Sequence, residues 1–86
     1  MFVVELAFDD NPERLAARPA HRQRLQALRA AGRLVMAGPF ADDSGALLIF
    51  DVPDGGALAE LLGEDPYYGT PGVRVVRRRE WSPIIT

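Results

Sequence analysis

The sequence predicts one small α+β domain with the element order βαββαβ, and three observations carry that prediction. A chain of 86 residues has room for one hydrophobic core, so 1–86 is a single domain. Strand-like segments, alternating or β-branched, are interleaved with two stretches whose apolar residues recur at helical spacing. Turn-forming clusters separate them: DDNP (9–12), ADDSG (41–45) and YYGTPG (67–72).

FVVELAF (2–8) puts Phe2, Val4, Leu6 and Phe8 on one face and Val3, Glu5 and Ala7 on the other, which is a first strand. Helix formers fill 13–31; Pro19 is expected in the first turn of the main helix, where a missing N–H costs nothing, and Gly32 closes it. RLVMAGPF (33–40) is a second strand broken by Gly38 and Pro39, and ALLIFDV (46–52) a third, almost wholly apolar one. In PDGGALAELLGEDP (53–66), Asp54 is a plausible N-cap, Leu58, Leu61 and Leu62 form a helical stripe, and Pro66 stops the helix. VRVVRRREW (73–81) is a β-branched, arginine-rich fourth strand before the tail SPIIT.

This order folds most simply as a four-stranded antiparallel sheet with two helices on one face, the ferredoxin-like arrangement. Nothing in the chain is left to cover the other face. A second copy packed sheet to sheet would cover it, so a homodimer is expected.

Composition narrows the functional classes. With 48% hydrophobic and 26% charged residues the chain is an ordinary globular protein. The absence of cysteine excludes disulfides, thiolate nucleophiles and cysteine-bound zinc, and a single histidine excludes a histidine-rich metal site within one chain. No metal or organic cofactor is expected. A net charge of -2 gives no general attraction to nucleic acid or anionic membrane. The run Arg74, Arg77, Arg78 and Arg79 lacks interleaved aromatics and reads as a charged edge strand that resists aggregation. Apolar stretches are short and the N-terminus lacks a basic region, so neither a membrane span nor a secretory signal is expected, and the default location is cytoplasmic.

The polar exceptions converge at one end of the expected sheet. His21, Leu25 and Leu28 stand at i, i+4 and i+7, so the only imidazole shares the core stripe of the first helix. Asp65 continues the inward stripe of Leu61 and Leu62 on the second. An unpaired carboxylate in a dry site costs several kcal/mol, so the two groups are most simply read as partners. Set near a helix N-terminus, His21 would be disfavoured as a cation, while Asp65 beside it opposes that and tends to raise its pKa. Such a pair is suited to proton transfer, with Asp65 fixing the tautomer and His21 acting as general base or acid. Gly38, Pro39, Phe40, Tyr67 and Tyr68 would line a pocket for a flat or apolar substrate.

The ordered set PAH (19–21), AAGR (30–33), GP (38–39) and DPY (65–67) resembles the YciI-like, or YCII-related, family of the dimeric α+β barrel superfamily, over nearly the whole chain. The resemblance implies a small ferredoxin-like dimer and an enzyme whose characteristic histidine and aspartate correspond to His21 and Asp65. It implies proton transfers, eliminations or cofactor-free oxidations on small ring compounds, without naming a substrate. Tyr67 stands where the family usually has phenylalanine or a similar residue.

Blander readings stand beside these. His21 can be a core-edge imidazole satisfied by a carbonyl or by Asp65, and Asp65 a turn initiator acting with Pro66. Gly38 and Pro39 can simply stop a strand, and the tyrosines can be core or interface aromatics. Arg22 is outward by spacing and reads as solvated, and Ser44 has no neighbouring base. The functional expectation is a small cofactor-independent enzyme using His21 and Asp65 for an elimination, isomerisation or hydrolysis of a small organic molecule. The alternative is a non-catalytic ligand-binding or interaction module on the same dimeric scaffold.

Overall fold

A computed structural model describes residues 1–86. The order is β1 (Phe2–Phe8), α1 (Pro12–Ala30), β2 (Leu34–Pro39), β3 (Gly45–Phe50), α2 (Gly55–Gly63), a 3-10 turn (Pro66–Gly69) and β4 (Val73–Glu80). The sheet runs β2-β3-β1-β4 with every neighbouring pair antiparallel, the ferredoxin-like topology expected from the element order.

The alternation in β1 does what its period requires. Phe2, Val4 and Leu6 are buried beneath the helices, together with Leu34, Leu48 and Phe50 from the sheet and Leu58, Leu61 and Leu62 from α2. Phe50 and Val4 are wholly inaccessible and mark the centre of the core. Strands β1 and β3 come together at Gly45, where a Cβ would stand 1.9 Å from the Leu6 carbonyl oxygen, so only glycine fits there.

The first helix departs from expectation. Asn11 caps it by accepting from the Glu13 N–H at 2.9 Å, Pro12 takes the first turn, and the helix runs unbroken through Pro19. An internal proline removes one helical hydrogen bond and costs about 3 kcal/mol in a helix interior. Here Pro19 is exposed, and so is Leu15, whose carbonyl is the one that loses its helical partner. The second helix is capped by Asp54, which accepts from the Ala57 N–H at 2.8 Å.

The sheet face opposite the helices carries Val3, Glu5, Leu47 and Ile49 in a shallow groove with Arg77, Arg79 and Trp81. No helix is long and apolar enough to cross a membrane.

Candidate active site

α2 ends at Gly63, so Asp65 does not continue the stripe of Leu61 and Leu62 as expected; it lies in extended backbone and caps the following 3-10 turn. Its Oδ1 accepts from the Tyr67 N–H at 3.0 Å, which fixes the carboxylate. The second oxygen, Oδ2, lies 2.7 Å from Nδ1 of His21, 44 positions away in sequence. Both residues are buried, His21 at 7% and Asp65 at 6% exposure. Arg24 on α1 reaches Glu64 beside Asp65, a second tie between the same two segments.

His21 occupies the third turn of α1, since the helix begins at Pro12; the expected place in the first turn is not where it lies. The N-terminal end of the helix dipole therefore acts on it weakly, because that field fades within a turn. Burial takes over as the main influence and lowers the His21 pKa, while the Asp65 hydrogen bond and charge oppose it. The direction is opposite to the rise expected from the pair considered alone. At neutral pH the imidazole is thus neutral, Nδ1–H donates to Asp65, and Nε2 keeps its lone pair with no protein partner.

Aromatic rings hold the imidazole in place. Tyr67 stacks on it at 3.9 Å between centroids, and Tyr68 meets it edge-on at 5.4 Å. Tyr68 carries a raised pKa because its hydroxyl is buried and Asp65 lies nearby, so it stays a neutral phenol.

His21 opens into a cleft of ≈ 580 Å³ between α1 and the β2 side of the sheet. Gly38, Pro39 and Tyr67 line that cleft with it. Phe40 and Tyr68 do not. Phe40 lies just past β2 and is 37% exposed, and Tyr68 packs edge-on against the imidazole without lining the cleft. Arg22, expected in solvent, is exposed yet lies on the cleft wall.

Sequence reasoning passed over Arg14. It is buried on the same wall with its guanidinium carbon 4.3 Å from the centre of the Phe8 ring. The signal was present: positions 14, 18, 21, 25 and 28 form one helical stripe. Placing the first turn at Pro19 cut that stripe short.

Residues 1–82 match the YCII-related domain family. The chain belongs to this family. As a YCII-related domain it resembles a solved structure, the 5-chloro-2-hydroxyhydroquinone dehydrochlorinase TftG of Burkholderia phenoliruptrix AC1100 in complex with 2,5-dihydroxybenzoquinone. The TM-score is 0.68 at 18% identity, over 95% of this chain and 94% of that one, a likeness of fold. No curated protein matches the chain.

Proposed function

We propose that this YCII-related domain is a small-molecule enzyme of the elimination type, with His21 as general base and Asp65 as the residue that orients it. The observation that carries the reading is the buried 2.7 Å contact between Nδ1 and Asp65 at the edge of an open cleft. It fixes the tautomer whose Nε2 can accept a proton, and a lowered pKa keeps that nitrogen unprotonated at neutral pH.

In the reaction, Nε2 takes a proton from the substrate. The electron pair of the broken bond forms a new double bond as an anionic leaving group departs from the adjacent carbon. The imidazolium so formed is stabilised by the Asp65 carboxylate until it returns its proton to water. Substrate loses one proton and one anion, and the enzyme ends as it began. This sequence uses only groups of the chain. The fold shared with a dehydrochlorinase supports elimination over isomerisation or hydrolysis, and its quinone ligand supports a small ring compound as substrate.

A homodimer belongs to the same proposal. The open sheet face presents Val3, Leu47 and Ile49 beside Glu5, Arg77 and Arg79. An apolar centre flanked by charges of both signs suits a two-fold interface in which each copy meets the same patch.

The test is turnover of halogenated hydroquinones and related ring compounds, followed by halide release and product absorbance. His21→Gln should lower kcat by about 100-fold or more with the fold intact, as expected for loss of a general base. Binding of the same compounds without product, unaltered in His21→Gln, would replace this reading with that of a binding module.

A further inference from the structure

Arg14 is the buried group of the cleft that this proton-transfer scheme leaves idle. It is 7% exposed, and its Nε and Nη1 are closed to solvent without meeting any acceptor. Its Nη2 stops 3.9 Å from the Asp43 carboxylate, too far for a hydrogen bond. A guanidinium has five N–H donors and stays charged, so a buried one is normally satisfied by carboxylate, carbonyl or water. The Phe8 ring steadies the cation through its face but offers the N–H groups no lone pair.

The position is also built. Gly72, with φ +97°, brings the start of β4 against α1, where an added Cβ would lie 3.2 Å from the Arg14 Cβ. Arg14 stands two helical turns before His21 on the same stripe, and both line the cleft. Arg18, Arg22 and Arg29 share its wall, while Asp43 is the only acidic residue lining it. A chain with a net charge of -2 thus gathers positive charge around one cleft, which draws anions.

We infer that the cleft takes a small planar organic anion whose charged oxygen, a carboxylate or a phenolate, is held by the Arg14 guanidinium while the reacting end lies at His21. Arg14 is then a substrate-binding and specificity-determining residue. This rests on the elimination reading for the role of His21 alone; the anion site stands on the unpartnered guanidinium, reached through Nη2, the one of its nitrogens not closed to solvent. A volume of ≈ 580 Å³ suits a compound of one or two rings.

The experiment is calorimetric titration of the full chain with benzoate, with 4-nitrophenolate at a pH where it is ionised, and with benzyl alcohol as the neutral control. At least one anion should bind about tenfold tighter than the alcohol, and the order of the two anions identifies the preferred oxyanion. Arg14→Gln should remove that preference, Arg14→Lys should restore part of it, and His21→Gln should leave it in place. Equal binding of anions and alcohol, no saturation by either anion at about 10 mM, or a preference that survives Arg14→Gln would overturn the inference. If Arg14→Gln does not fold, Arg14→Lys decides: a weakened preference supports the inference, and a preference equal to that of the unaltered protein overturns it. Anion preference without turnover of any ring compound would leave the Arg14 site standing and remove the elimination reading instead.

Discussion

The imidazole of His21 lies flat against the ring of Tyr67, with centroids 3.9 Å apart and planes 10° from parallel. Tyr67 also donates its backbone N–H to Asp65, so one residue places both members of the pair. The 3-10 turn begun by Pro66 is what aims them, and it is short enough that any shift of Tyr67 moves the carboxylate as well.

Tyr67→Ala is therefore expected to act twice. Loss of a side chain only 3% exposed should destabilise the fold by about 3 kcal/mol, measured by urea unfolding. The His21 resonance should also shift, because ring and hydrogen-bond neighbour are both disturbed. Tyr67→Phe keeps the stacked ring and should change the imidazole pKa little; a large change would mean the hydroxyl, and not the ring, governs it.

The imidazole titrates alone, since the chain has one histidine, and NMR reads it without assignment. Its pKa should fall below the ordinary value of about 6.5 because burial outweighs Asp65. Asp65→Asn should lower it further, as the hydrogen bond and charge that oppose burial are removed. A value above the ordinary one in the unaltered protein would show that Asp65 outweighs burial.

Stability follows with a definite sign. An imidazole whose native pKa is lowered lets the unfolded chain bind the proton first, so stability is lost as pH falls from about 6.5 toward the native pKa. The slope from one proton cannot exceed about 1.4 kcal/mol per pH unit. His21→Gln should flatten this part of the profile in denaturant titrations; an unchanged slope would assign it to other groups.

Val3 lies on the open sheet face, opposite Ile49 on one side and Arg79 on the other. Val3→Asp puts a charge there without touching the helix-covered core, and it should convert the proposed dimer into monomers in light scattering. Val76, the extra residue of the bulge in β4, is a weaker place for the same change. A Val3→Asp protein that elutes and melts like the parent would exclude this face as the interface.

Much of the fold is local in origin and legible in the residue pattern. Alternation in 2–8, the apolar run of β3, the Asp54 cap and the leucine stripe of α2 are set by neighbours a few residues apart. From those elements the βαββαβ order leads to the β2-β3-β1-β4 sheet, and helical spacing turns His21 inward, whereas Asp65 lies past the end of α2 and is aimed by the cap of the 3-10 turn. Tertiary structure decided what depends on distant groups. Pro19 breaks local rules yet sits within α1, because the packed helix outweighs one missing hydrogen bond on its exposed side. That continuation carries Arg14 into the cleft and moves His21 away from the helix end. The direction of the His21 shift was beyond sequence for the same reason: desolvation sums over everything packed around a group, and those neighbours come from all along the chain.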